Sequence, residues 1–66
     1  MKVEQFNREQ AGFFKATEGG EEAGRLVYTW EDDLMRLDHT EVNDAFKGKG
    51  VGKSLLNAAV HSAREA

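Results

Sequence analysis

A glycine-rich segment in the last third of the chain carries the clearest chemical signal in the sequence. Residues 47–54 run Lys-Gly-Lys-Gly-Val-Gly-Lys-Ser, and an amphipathic stretch follows at once. Glycines let successive backbone N–H groups point into one concavity, and the N-terminal end of a following helix adds partial positive charge. With three lysines of the same sign, this pattern predicts a loop that binds an anionic group, above all a phosphate. A flexible turn with solvated lysines is the alternative interpretation.

The spacing of the glycines argues against three common phosphate-binding or nucleic-acid-binding loops. The P-loop of nucleotide hydrolases requires a glycine at position 47, which is Lys47. The dinucleotide-binding pattern Gly-x-Gly-x-x-Gly requires a glycine at position 53 or 55, and these are Lys53 and Leu55. The KH pattern requires glycines three apart, whereas these are two and four apart. A nucleotide-phosphate loop of another kind stays open as a weaker alternative.

The segments before this loop predict β-strands. Lys2–Gln5 and Gly12–Thr17 are either two short strands or one strand with an irregular start, and Gly19-Gly20 then indicates a hairpin turn. Ala23–Trp30 alternates apolar and polar residues, as a half-buried strand does. The residues predicted to share its apolar face are Leu26, Tyr28 and Trp30.

A fourth strand and a helix complete the predicted order. Leu34–Val42 alternates again, which predicts one face made of Met35, Leu37, His39 and Glu41. The helix begins near Val51, and its predicted apolar stripe is Val51, Leu55, Leu56, Ala59, Val60 and Ala63. Strands followed by one helix predict an α+β fold with a largely antiparallel sheet.

Composition limits the remaining possibilities. A chain of 66 residues predicts one small domain with a small core, and the absence of cysteine excludes disulfides and thiolate metal sites. The sequence has no apolar run of membrane-spanning length, and polar residues occupy the place of a signal peptide's apolar centre, so we expect a cytoplasmic protein without a membrane partner. Nucleic acid is disfavoured as a partner because the net charge is −3.

Two motifs together resemble a known family. The strand residues His39-Thr40-Glu41-Val42 and the loop Lys47-Gly48-Lys49-Gly50-Val51-Gly52 are similar to the acetyl-CoA-binding region of the GNAT superfamily of N-acetyltransferases, in particular its small single-domain proteins. The family's loop motif is Arg/Gln-x-x-Gly-x-Gly/Ala at the start of a helix. Lys47 stands in the Arg/Gln place, where it keeps a charge but lacks the forked geometry of a guanidinium. The resemblance covers Leu34 to Glu65, about half of the chain.

The resemblance implies a GNAT-like fold with a mixed, mostly antiparallel sheet and a C-terminal helix. It implies that residues 1–66 form a single domain, the cofactor-binding part, which is truncated at its C-terminus relative to these proteins. The implied cofactor is acetyl-CoA, whose pantetheine arm would pair with the strand at Thr40, Glu41 and Val42. The residues implied to hold its pyrophosphate are Lys47, Gly48, Lys49, Gly50, Val51, Gly52, Lys53 and Ser54.

The reaction implied by the resemblance is attack of a primary amine on the thioester of acetyl-CoA. Such a reaction needs a base, and His39 and Glu41 are the candidates for this catalytic role, since histidine titrates near neutral pH. The alternative is that His39 is an ordinary strand histidine and Glu41 a solvated carboxylate. A non-catalytic interaction or regulatory module of the same fold, including a homodimer formed through a sheet edge, stays open as the alternative function. No metal site is predicted.

Overall fold

The computed structural model describes residues 1–65, which form a four-stranded sheet and one helix. The elements are β1 (Lys2–Arg8), β2 (Ala11–Glu18), β3 (Glu21–Glu31), β4 (Leu34–Val42), a short 3-10 turn (Asp44–Phe46) and α1 (Val51–Glu65). The sheet order is β1-β2-β3-β4, and every pairing is antiparallel. The predicted α+β class with an antiparallel sheet and a C-terminal helix is confirmed. The mixed sheet implied by the resemblance is not present in residues 1–65.

The first two strands form a regular hairpin that the sequence only partly predicts. β1 extends to Arg8 rather than ending near Gln5, and it pairs with β2 along its whole length. The turn between them is Glu9-Gln10, with Glu9 at φ 53°. Such a turn is hard to predict, because left-handed backbone is usually signalled by glycine or asparagine.

One face of the sheet packs against α1 and forms the core. Leu26 and Tyr28 of β3 are buried, as the alternation predicts, and they lie in one apolar cluster with Leu55 of α1. The predicted helical stripe is correct for Val51, Leu55 and Ala59 and wrong for its other three members, Leu56, Val60 and Ala63, which are exposed. Leu56 and Val60 are 47% and 42% exposed. A single sheet covers only one side of the helix, so the stripe that becomes buried is narrower than the apolar stripe in the sequence.

A bulge in β4 changes which of its side chains share a face. Val27 pairs with His39 and Tyr28 pairs with Leu37, so Asp38 is an extra residue with no directly opposite residue in the β3 register. Directly opposite residues of paired strands share a face. Leu37 therefore lies on the α1 side with Tyr28, whereas His39 lies on the opposite side with Val27.

The prediction that Met35, Leu37, His39 and Glu41 share one face is therefore wrong. Alternation counted along the chain keeps one phase, but the extra residue reverses that phase at Asp38. On the α1 side, β4 presents the residues opposite Trp30, Tyr28, Leu26 and Gly24, which are Met35, Leu37, Thr40 and Val42. His39 and Glu41 belong to the other, open face of the sheet.

None of the described helical residues forms a segment with both the length and the apolar character that crossing a membrane requires.

Candidate functional site

The glycine segment forms a loop that leads directly into α1. Gly48 and Gly50 have φ angles of +82° and +75°, and a Cβ built on either would meet nothing within 4 Å. Glycine is therefore needed at these two positions because their left-handed backbone disfavours other residues. It is not needed because a side chain would collide with neighbouring atoms. The carbonyl of Gly50 accepts the first helical hydrogen bond, from the N–H of Ser54 at 3.0 Å.

The first turn of α1 leaves backbone donors directed away from the helix body. Among residues 1–65, the N–H groups of Val51, Gly52 and Lys53 donate to no backbone carbonyl. The N–H of Ser54, predicted to contact the pyrophosphate, is already engaged by Gly50. The loop therefore offers an anion three helix-terminal donors, and its direct contact with Ser54 would be through the side chain.

Two lysines of the loop, Lys47 and Lys49, make only weak interactions with neighbouring side chains. Lys47 Nζ lies 3.0 Å from Asp44 Oδ1, and both side chains are largely exposed. Lys49 Nζ lies 5.7 Å from the centre of the Phe46 ring. An exposed ion pair of this kind contributes roughly 0–1 kcal/mol, so a bound phosphate can compete for Lys47.

Asn43 lies between the end of β4 and the 3-10 turn that leads to this loop, and no prediction from the sequence included it. Its side-chain oxygen accepts from the N–H of Ala45 at 3.0 Å, and its side-chain nitrogen donates to the carbonyl of Glu22 at 3.3 Å. Its own N–H donates to the carbonyl of Ala23 at 2.8 Å. An asparagine just after a strand is a recognised cap signal and could have identified this position.

Gly24 is a second important residue to which no role was predicted from the sequence. A Cβ at this position would lie 2.7 Å from Val51 Cγ1 and 2.9 Å from the carbonyl oxygen of Glu41. Both distances are shorter than real Cβ contacts allow. Glycine at this position therefore permits the start of α1 to lie directly against β3, next to the end of β4. A glycine inside a strand is the signal that could have indicated this close approach.

An open cleft lies where β3 begins and β4 ends. It has a volume of about 520 Å³, and its lining residues are Glu22, Gly24, Arg25, Glu41, Val42 and Asn43. Arg25 donates to both carboxylate oxygens of Glu22, at 3.2 Å and 3.0 Å. Two of the strand residues predicted to bind the cofactor, Glu41 and Val42, line this cleft.

The outer edge of β4 is unpaired within residues 1–65, because β4 is the last strand of the sheet. Such an edge presents N–H and C=O groups that can pair with an extended chain. The structure thus brings two predicted parts together, since the edge at Thr40–Val42 ends beside the loop that opens α1.

The two predicted catalytic residues contact each other on the open face. His39 Nε2 lies 2.9 Å from Glu41 Oε1, and their side chains are 60% and 71% exposed. They lie on the face of the sheet opposite α1 and the core. The pair has the geometry of a histidine oriented by a carboxylate.

Asp38, next to His39, forms a separate network on the same face. The Thr29 hydroxyl donates to its carboxylate, and Arg36 Nε donates to it at 2.7 Å. The Thr29 hydrogen bond and then the Arg36 hydrogen bond lower the pKa of Asp38, and the hydrogen bond to Asp38 raises the pKa of Arg36. Asp38 therefore stays a paired carboxylate at neutral pH and is a poor base.

Tyr28 is unavailable to any ligand. It is fully buried, its hydroxyl donates to Asn7, and it accepts a hydrogen bond from Gln5 Nε2 at 3.0 Å. The only tyrosine of the chain therefore has a structural role in the core.

These features define the class of protein: an α+β domain with an antiparallel sheet, an unpaired outer strand edge and a glycine loop at the start of a helix. The family within this class follows from a family-model match. A model described as GCN5-related N-acetyl-transferase matches residues 13–66, and the chain belongs to this family. The match begins at Phe13 in β2 and includes β3, β4, the loop and α1. No curated protein and no solved structure matches the chain.

Proposed function

We propose that this chain binds acetyl-CoA along the outer edge of β4 and transfers its acetyl group to a primary amine. The observation that carries the proposal is the position of the left-handed glycine loop directly beside the end of an unpaired strand edge. Membership of the GCN5-related N-acetyl-transferase family supports the choice of cofactor and reaction.

The proposed binding mode uses backbone groups more than side chains. The pantetheine arm contains amides and pairs with the edge at Thr40, Glu41 and Val42 as an additional strand would. The pyrophosphate lies against the N–H groups of Val51, Gly52 and Lys53, where the partial positive charge of the helix terminus favours an anion. Lys47, an exposed cation beside the loop, adds charge of the required sign.

The proposed chemistry needs two protons removed from the ammonium and one oxyanion stabilised. His39, oriented by Glu41, accepts the first proton, which converts the ammonium to the free amine. The amine attacks the thioester carbon, a C–N bond forms, and the C–S bond breaks to release the thiolate of CoA. The second proton leaves the nitrogen as the amide forms and passes to the thiolate or to water. An N–H of the β4 edge stabilises the oxyanion of the tetrahedral intermediate.

A second function is favoured by one specific observation. The Tyr28 hydroxyl is buried and makes two hydrogen bonds, so it cannot protonate the leaving thiolate, and the sequence has no cysteine that could do so. A module that binds acetyl-CoA without turning it over is therefore the alternative. The two functions share the cofactor site and differ only in catalysis.

Binding can be tested by recording backbone amide shifts during a titration with acetyl-CoA. We expect saturable shifts at Gly48, Gly50 and Gly52 and at Thr40 to Val42, with little change in the β1–β2 hairpin. ATP should displace acetyl-CoA poorly, because ATP has no arm to pair with β4. Unmoved loop amides at millimolar acetyl-CoA would contradict the proposal, and equal competition by ATP would indicate a general phosphate loop instead.

Catalysis can be tested with His39→Gln, which keeps hydrogen-bonding capacity but removes the base. We expect the rate of CoA release with primary amines such as lysine and short diamines to fall about 10²-fold or more, with the Kd of acetyl-CoA unchanged. His61→Gln is the matched control, since His61 is an exposed histidine that also lies near a carboxylate, 3.6 Å from Glu65. Equal rates for the two variants would exclude His39 as the base. Binding without turnover in the unmodified chain would favour the non-catalytic module.

A further inference from the structure

We propose that a groove between β4 and the C-terminal half of α1 receives the acyl group, and that the chain prefers acyl-CoA molecules with acyl chains longer than acetyl. This inference rests on the proposed function, because it uses the same strand edge to position the cofactor. It adds the class of acyl donor that the site selects.

The groove is small and entirely apolar. Its volume is about 120 Å³, and its lining residues are Met35, Leu37, Ala59, Val60 and Ala63. Leu37 and Val60 are both more than two-fifths exposed, although their side chains are apolar. An apolar group placed in this groove would be removed from water together with these side chains.

The bulge at Asp38 and two small helical residues create the groove. Because the bulge reverses the alternation, Leu37 lies on the α1 side of the sheet, the same side as Thr40 and Val42. On the helix, Ala59 and Ala63 are four residues apart and lie on one side. Their short side chains leave the space that Leu37 borders from the sheet.

The proposed cofactor position directs the thioester towards this groove. Val42 and Leu37 lie opposite Gly24 and Tyr28, which are four residues apart on β3. A strand rises about 3.3 Å per residue, so this part of the edge spans roughly 13 Å. An arm that starts from the loop and pairs with Thr40 to Val42 continues in the direction of Leu37. Its acyl end is then next to apolar side chains, whereas His39 lies on the other side of the edge.

The volume of the groove allows more than an acetyl group. At about 120 Å³ it is well above the space that one water molecule needs, so it can receive several carbon atoms of an acyl chain. An acetyl group uses only part of this space, and a butanoyl group fills more of it. Each additional buried methylene group favours binding, and two of them correspond to about a tenfold gain in affinity.

The test compares the affinities of CoA, acetyl-CoA and butanoyl-CoA for the full chain by calorimetry. We expect butanoyl-CoA to bind about tenfold more tightly than acetyl-CoA. Ala63→Leu fills the groove from an exposed helical position, so it should reduce this preference to less than about twofold while leaving the affinity for CoA unchanged. Asn57→Leu is the matched control, because it adds the same side chain at an exposed position of α1 outside the groove.

The outcomes separate the inference from the proposed function. Similar affinities for all three ligands would overturn the acyl preference and leave acetyl-CoA binding intact. Failure of all three to bind would overturn the proposed function and the inference with it. Loss of the preference for butanoyl-CoA in Asn57→Leu as well as in Ala63→Leu would also overturn the inference. An affinity for acyl-CoA that decreases as the protein concentration rises would overturn it too, since a second copy of the chain would then occupy the groove.

Discussion

Replacing Gly50 by valine is expected to weaken acetyl-CoA binding at least tenfold while leaving the fold intact. Gly50 has φ +75°, a conformation that a β-branched residue avoids, and a Cβ there would meet nothing within 4 Å. Because the loop is unconfined, it can relax to another conformation when no ligand is bound. In this relaxed state the N–H groups of the first helical turn no longer point towards the anion site. Binding must restore the strained backbone conformation, which costs about 1–2 kcal/mol or more.

Gly20→Val is the control for this experiment. Gly20 also has a positive φ, +85°, and also has open space around its missing side chain, but it lies in the β2–β3 turn. The two variants thus carry a similar backbone penalty at different places. Calorimetric titration with acetyl-CoA should show a loss only for Gly50→Val, and a loss of similar size in both variants would contradict a specific role for the loop.

Replacing Gly24 by alanine is expected to lower the free energy of unfolding by about 1–3 kcal/mol, as overpacking of a core does. The new methyl group would be too close to both Val51 Cγ1 and the backbone oxygen of Glu41. A domain of this size has a total stability of roughly 3–10 kcal/mol, so the loss is a large fraction of it. Urea unfolding followed by circular dichroism would measure the change.

Two further variants test the assigned cause. Gly52→Ala makes the same substitution in the first turn of α1, where a Cβ would have open space, and should be neutral or slightly stabilising. Adding Val51→Ala to Gly24→Ala removes one of the two close contacts, so the double variant should lose less stability than the two single variants together. Strict additivity would show that Val51 is not the obstacle.

Local patterns in the sequence were sufficient to predict several elements. Leu26 and Tyr28 lie on the buried face of β3 because a strand alternates its side chains, and no distant residue is needed to see that period. The segment from Val51 repeats with a helical period, and the glycines at 48 and 50 have the left-handed backbone that a loop of this composition suggests. The family was also recognisable, because the residues that resemble it, in β4 and the glycine loop, are contiguous stretches of the chain.

Features that depend on pairing between distant residues were not predictable in this way. The bulge at Asp38 exists only in the register between β3 and β4, and it separates Leu37 from His39 although the sequence places them on one face. Gly24 and Val51 lie close together although they are 27 positions apart in the sequence, so no local sequence pattern predicts their contact.

The sequence by itself thus determined the α+β class, the helix, the glycine loop and the family, because each of these is expressed over short stretches of chain. Only the tertiary structure decided how they combine: which face His39 occupies, how closely α1 approaches β4, and that an apolar groove adjoins the proposed cofactor edge. The physical reason is that a side chain's face and contacts follow from strand register and close packing, and both are set by residues far apart in the sequence.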